Sequence, residues 1–493
     1  MSASRPNILW YCTDQQRFDT IRALGNPHIA TTNLDRMKNR GVAFRQAYAQ
    51  SPVCTPSRAS FLTGRYPSST HVHRNGCSHF PQSETLVTKL LADAGYDCGL
   101  VGKLHLASAA GGMEPRVDDG YRLFEWSHHP MPGADSDDNA YHKWLLNEKN
   151  IDPKQLYASV SGFCCAGVPA EVHQTTWATE LALRFIDQKR SQPWLLSINV
   201  FDPHPPFDPP RSHLDRYDAS TLPPPLFRET DLERQNAFRH VSQQSTVAVD
   251  PNGSDPKILH DVAQADTAMI PPTNFDGRQV KAAYYAMIEL IDEQFGRIVE
   301  HLDSTGQLEN TLIVFHSDHG ELLGDHGLLY KGCRFFEGLV HVPLMFMWKG
   351  RFVEDLESDA LVELVDIAPT LLEAAGCEVP DSMQGKSLMG ILTGQKQPDY
   401  HKSIVVSEFN DALGSAKEYQ PTHATMSFDG RIKVIVYHDL NLGEIFDLEK
   451  DPGEFSNLWD SPELADVKPE LLVRHMDAVM ATSWAGIERV GRF

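Results

Sequence analysis

Three continuous apolar runs constrain this chain more than any other feature. Asn7-Ile8-Leu9-Trp10-Tyr11-Cys12, Trp194 to Val200 and Thr311 to Ser317 do not alternate with polar residues, the pattern of parallel strands buried on both faces. Helical spacing fills the intervals. Leu86, Val87, Leu90, Leu91 and Ala94 lead to Gly95, Leu181, Phe185 and Ile186 share one face, and a long apolar side runs from Val280 to Ile298. This alternation predicts an α/β fold with a large, mostly parallel central sheet flanked by helices. Further strands are expected over 98–102 and 343–348, with helices from Thr32 (Asp35 closing a capping box) and from Asp366 to Ala375. Past residue 380, short strands at 404–407, 432–436 and 444–446 predict a smaller C-terminal antiparallel-sheet subdomain, dividing the chain into 1–378 and 379–493. Residues 108–172 and 205–275 are dense in Gly, Pro and polar residues and read as insertions. Loops of that length in a compact domain usually serve a binding site.

Chemistry-bearing residues fall at recurrent places. Asp14, Lys103 with His105, His204, and Asp318 with His319 each lie just past the C-terminal end of a predicted strand. In an open α/β sheet those ends share one edge, where ligands bind. Each residue alone has an ordinary explanation, a helix cap or a surface histidine; together they predict one cleft.

A sulfur completes the set. In Ser51 to Arg65, Pro56 suits the first turn of a helix and Gly64 its stop. Cys54 then stands at the helix start, where free N–H groups and the dipole favour negative charge, and Arg58 adds a cation one turn on.

Bulk properties exclude several classes. A net charge of -22 argues against a nucleic-acid partner, and it disfavours polyanionic substrates unless a local basic pocket overrides the global field. No apolar run approaches the ~18 residues of a membrane span. The start, Met1 to Asn7, leads into an apolar stretch of only Ile8 to Tyr11, so no secretory signal is read and a cytoplasmic location is expected. The eight cysteines form neither a disulfide framework nor a zinc spacing, and Cys164-Cys165 reads as two free thiols.

The order Cys54-Thr55-Pro56-Ser57-Arg58 with Thr63-Gly64-Arg65 downstream resembles the sulfatase signature, in which the cysteine becomes Cα-formylglycine. Arg5-Pro6-Asn7-Ile8-Leu9, Gly102-Lys103-Leu104-His105, Asp318-His319-Gly320-Glu321 and Phe446 to Pro452 extend the likeness over most of the chain, to the sulfatase branch of the alkaline phosphatase superfamily. The resemblance implies that Asp14, Asp318, His319 and the modified Cys54 hold one divalent cation, with Gln15 a further candidate ligand. It places Arg58, Asn75, Lys103 and His105 around formylglycine, and His204 and Lys331 on the substrate anion. Implied partners are a small anionic ester and a formylglycine-generating enzyme, with the chain a homo-oligomer.

Two departures from the commonest arylsulfatase pattern stand out. Gln15 replaces a second adjacent Asp, and His319 replaces Asn; both forms look more like choline sulfatases and phosphonate monoester hydrolases. The site loses a carboxylate and gains a nitrogen ligand, which suits Mn2+ or Zn2+ better than Ca2+; Ca2+ and Mg2+ stay open. The expected activity is hydrolysis of aryl or small alkyl sulfate esters. Phosphonate monoester or phosphodiester hydrolysis is the alternative, and an inactive anion- or metal-binding protein with unmodified Cys54 the non-enzymatic one.

Overall fold

A computed structural model describes residues 5–133, 137–160, 162–238, 241, 248–252, 276–411 and 422–483. Its strands are β1 (Asn7–Thr13), β2 (Val42–Tyr48), β3 (Asp97–Gly102), β4 (Leu123–Trp126), β5 (Trp194–Asn199), β6 (Thr311–Ser317), β7 (Leu344–Met347) and β8 (Leu356–Glu363). They form one sheet in the order β4-β3-β5-β1-β6-β7-β2-β8. Only β7 runs against the rest, antiparallel to both β6 and β2. Ile8 of β1 stands opposite Leu195 of β5 and Leu312 of β6, so the three apolar runs are central neighbours.

Burial on two faces explains why those runs do not alternate. Leu9 and Tyr11 enter one core with Phe185 and Phe295, whereas Ile8, Trp10 and Cys12 enter another with Phe61 and Leu371. The first core carries α1 (Thr32–Asn39), with α2 (Gln174–Ile186) and α3 (Gly277–Ser304); the second carries the helices Cys54–Thr63 and Ile367–Ala374. Phe61 stands edge-on to Trp10 with ring centroids 5.6 Å apart. Burying each aromatic side chain contributes roughly 2 kcal/mol.

A second sheet, β9 (Val405–Asp411), β10 (Thr422–Phe428), β11 (Ile432–Tyr437) and β12 (Leu442–Asp447), is antiparallel throughout. Its Met426 and Phe428 share a cluster with Tyr48 and Leu361 of the large sheet. The helix Lys468–Ala481 packs on it, and His475 is held by the hydroxyls of Thr425 and Ser427.

Three expectations need correction. The stretch 108–172 is not irregular throughout: it supplies edge strand β4, in register with β3, and the helices Ala140–Asn147 and Pro153–Tyr157. Asp35 does not close a capping box; its carboxylate takes Ala23 N–H and the Thr31 hydroxyl. The start of α1 is instead capped from a distance by Asp292 of α3, which accepts from Asn33 N and Leu34 N at 3.0 and 2.7 Å. Strands β2, β8 and β10 also formed where none was expected. In the second insertion, 205–238 carries the short helices Arg211–Leu214 and Glu229–Asn236, and 253–275 lies outside the described residues. Among the described residues no helix is long and apolar enough to cross a membrane.

Candidate active site

The helix Cys54–Thr63 is buried along its whole length and ends at Gly64, whose φ of 68° suits a residue without Cβ. Its first turn has no cap from its own chain neighbour. Asn75 supplies one, its Oδ1 accepting Thr55 N–H at 2.9 Å, while Ser57 Oγ donates to Asp318 O at 2.6 Å. Cys54 thus sits on a positive helix end bolted to the end of β6.

Strands β3, β5, β1 and β6 are consecutive in the sheet, so Lys103, His204, Asp14 and Asp318 leave it on one edge. One ligand atom each from Asp14, Cys54, Asp318 and His319 lies within 4.8 Å of the others, all four residues buried. His319 Nε2 is 3.1 Å from the Cys54 sulfur, and its Nδ1 faces Gly320 O at 2.9 Å. A carbonyl only accepts, so Nδ1 carries the hydrogen and Nε2 is the ring nitrogen turned inward; burial pushes the imidazole down, but Asp318 and Cys54 hold it above its ordinary value. Two carboxylates, an imidazole and a residue-54 donor fit a divalent cation.

Two lysines face the same sulfur, and an arginine stands behind them. Lys331 Nζ is 3.0 Å from Sγ, 3.0 Å from Gln15 Oε1 and 2.8 Å from His204 Nε2. Lys103 Nζ is 4.0 Å from Sγ and 2.7 Å from Asp14 Oδ2. Arg58 is placed differently: Nε meets Asp318 Oδ2 at 2.9 Å, Nη2 meets Asp14 Oδ2 at 3.0 Å, and Nη1 meets Lys103 O at 3.1 Å. Its guanidinium aligns the carboxylates rather than facing the sulfur.

Charge states follow from these neighbours. Burial pushes Asp14 up, but Lys103, Arg58, His204 and Lys331 hold it well below the usual carboxylate range. For the Cys54 thiol, burial and Asp14 push up, and Lys103, Lys331 and His319 outweigh them, leaving it below its ordinary value. Three cationic side chains against two carboxylates make a local basic pocket within an acidic chain.

His105 is buried beside this group with φ 57°. Burial first, then Lys103, His128 and Arg58, hold it well below the ordinary imidazole value. It makes no hydrogen bond to Cys54, and its Nδ1 has no hydrogen-bond partner among the described residues. Two acids escaped the sequence reading. Glu321 accepts from Gln15 Nε2, Tyr330 N and Leu323 N, which turns Gln15 Oε1 towards Lys331. Glu114 gathers the backbone after Lys103. Glu321 sat in view inside the Asp318-His319-Gly320-Glu321 stretch, whereas Glu114 carries no local signal.

The sulfatase family profile matches residues 6–377, and one described as N-sulphoglucosamine sulphohydrolase, C-terminal, matches 324–480. An arylsulfatase of Clostridium perfringens is 28% identical over 490 residues, covering 96% of this chain and 95% of its own. The multifunctional alkaline phosphatase superfamily protein PehA of Trinickia caryophylli is 30% identical over 518 residues, covering 98% of this chain and 95% of its own. The solved structure of a phosphonate monoester hydrolase from Silicibacter pomeroyi superposes with a TM-score of 0.81 at 23% identity, covering 98% of this chain and 96% of that one. With three quarters of its length matched by the family profile and a site of this composition at the sheet edge, the chain belongs to the sulfatase family of the alkaline phosphatase superfamily.

Proposed function

We propose that the chain hydrolyses sulfate monoesters of phenols or small alcohols, with Cys54 converted to formylglycine by a modifying enzyme. The observation that carries this reading is the convergence of Lys103, Lys331 and His319 on the sulfur at a helix N-terminus. As its hydrate, formylglycine supplies two geminal hydroxyls, one to attack sulfur and one to expel sulfate. A divalent cation held by Asp14, Asp318, His319 and residue 54 supplies Lewis-acid stabilisation of the charge on the ester oxygens.

The chain's own groups do the rest. Arg58 locks both carboxylates in one orientation. Lys103 and Lys331 offer fixed positive charge to the non-bridging oxygens of a singly charged tetrahedral group. His204 Nδ1 faces Pro205 O at 2.7 Å, so Nδ1 carries a hydrogen and Nε2 receives one from Lys331. The Lys331–His204 pair therefore holds a transferable proton beside residue 54, placed to reach a departing alkoxide. His105, neutral and with an open nitrogen, is placed to take a proton when sulfate leaves. A positioned acid or base of this kind contributes roughly 10²–10⁴-fold in rate.

Phosphonate monoesters and phosphodiesters are the second reading. Gln15 and His319 give a donor set that looks more like that of phosphonate monoester hydrolases, and these esters are singly charged tetrahedral groups like sulfate monoesters, so the same cations can receive them. The test is a kinetic comparison of an aryl sulfate, an aryl phosphonate monoester and a phosphodiester on one preparation of measured formylglycine content. A kcat/KM highest for the sulfate supports the first reading; no turnover of any of the three by fully modified protein refutes both.

A further inference from the structure

β3 ends at Gly102, where φ is 108° and a Cβ would lie 2.0 Å from Asn199 O. Lys103 is fixed directly beyond it: its N–H donates to Asn199 O at 2.9 Å, and its carbonyl accepts from Asn199 Nδ2 and Arg58 Nη1. Two residues later His105 occupies the left-handed region at φ 57°. For a residue with a Cβ that conformation is unfavourable and persists only when the surroundings impose it.

One side chain gathers the N–H groups of this turn. Glu114, only 2% exposed, accepts His105 N–H at 2.7 Å on Oε1, and Leu106 N–H and Ala107 N–H at 2.7 and 3.0 Å on Oε2. Trp126 Nε1 donates to Oε1 at 2.9 Å. All four partners are N–H donors, so the group is a carboxylate, and three successive amides turned onto it form an anion-holding nest. The indole arrives by sheet register, since Gly102 and Trp126 are paired between β3 and β4. His128 closes the ring side, edge-on to His105 with centroids 4.4 Å apart. The groups that act on His105 through space are Lys103, His128, Arg58 and Asp14, three of which belong to the charged cluster around Cys54.

We propose that Glu114 is a positioning residue for the reaction: by gathering the N–H groups of residues 105–107 and the Trp126 indole, it holds the left-handed turn that sets His105 beside Lys103 in the cleft. This rests on the reading of His105 as a proton acceptor. It gives the stretch after residue 108 a catalytic task as well as a place in the fold.

The test is a double-mutant cycle of Glu114→Gln and His105→Ala on preparations of equal formylglycine content, with kcat, KM and melting temperature measured for each. Glu114→Gln keeps the size but turns an NH2 group towards donors. The expected result is a kcat loss of about 10- to 100-fold with KM within about twofold, as for a misplaced catalytic group. In the His105→Ala background the same change should cost less than about twofold, because the residue it positions is gone. Losses that multiply, wild-type kcat in Glu114→Gln, or a KM change that accounts for the whole loss overturn the proposal. Wild-type kcat in His105→Ala refutes the acceptor role itself, and the positioning role with it. Should Glu114→Gln fail to fold, Trp126→Phe removes one of the four donors: a smaller kcat loss that also vanishes with His105→Ala supports the proposal, and an independent loss overturns it.

Discussion

Trp10 donates its indole N–H to Nε2 of His316 across 2.8 Å. An indole nitrogen cannot accept, so His316 Nε2 must carry a lone pair, and Nδ1 faces Ser317 O at 3.1 Å. The ring is neutral in the folded chain, and burial pushes its pKa from 6.5 down to about 3. Between those values the unfolded chain binds the proton and the folded chain does not, so this contribution is complete above pH ~6.5 and fades towards pH ~3. It amounts to roughly 2 kcal/mol between pH 7 and pH 5. Glu408, raised to about 7 by burial, has the opposite slope over the same window, so wild-type stability alone will not reveal His316. The difference between wild type and His316→Gln will. Urea unfolding at both pH values should show the wild type's advantage shrinking by about 2 kcal/mol at pH 5; an advantage independent of pH rejects the neutral-ring assignment.

Asp318 accepts Arg58 Nε on Oδ2 and Gln15 N–H on Oδ1, and it is one of the four residues that could hold the proposed cation. Asp318→Asn should therefore lower bound metal and lower turnover by about 100-fold or more, with little change in KM. Treatment of the wild type with a chelator should abolish turnover, and Mn2+ should restore it in the wild type but not in the variant. Full metal content and turnover in Asp318→Asn would place the cation elsewhere.

How much of this site the sequence disclosed depended on how each residue is held. Asp14, Lys103, His204 and Asp318 follow strands whose cores are mostly apolar and without alternation, so the strand ends, and the shared edge, were legible. β2 was not. Its Arg45 and Gln46 interrupt the apolar run, and its pairing with β8 shifts register between Phe44 and Gln46. β8 follows Leu356 with polar Glu357-Ser358-Asp359, and β10 mixes Thr422, His423 and Thr425 into its apolar positions. Such strands are fixed by their neighbours, not by local pattern. Arg58 was legible as a cation near Cys54, but its engagement by two carboxylates from β1 and β6 needs the sheet order. Glu114 was beyond reach for the same reason: three of its partners are backbone amides, which every sequence has, and the fourth, the Trp126 indole, arrives by the pairing of β4 with β3.

Cys54 should be found as formylglycine. Mass spectrometry of the peptide spanning residue 54 should show aldehyde or its hydrate in place of thiol, and Cys54→Ala should have no measurable turnover while melting close to the wild type. Protein that turns over substrate with only thiol at that position would sink the reading.

The contact of Lys331 with His204 predicts a dependence on the leaving group. A nitrophenolate departs without needing a proton, so loss of the acid matters little for it. The alkoxide of an ordinary alcohol is far more basic and must be protonated as the bond breaks. His204 is braced by its Nδ1 contact to Pro205 O and by Phe201, whose ring centroid is 4.5 Å away, so its Nε2 is held on Lys331. Lys331 also faces residue 54 directly, which gives it a second task as an anion clamp. His204→Ala should therefore lose rate in proportion to leaving-group basicity, about 10²-fold or more for an alkyl sulfate and only a few fold for a nitrophenyl sulfate. Lys331→Ala should show that same slope plus a uniform loss of about 10²-fold across the series, because the clamp acts on every substrate. A flat, equal loss in both variants would mean that neither residue delivers the proton, and wild-type rates throughout would remove both from the reaction.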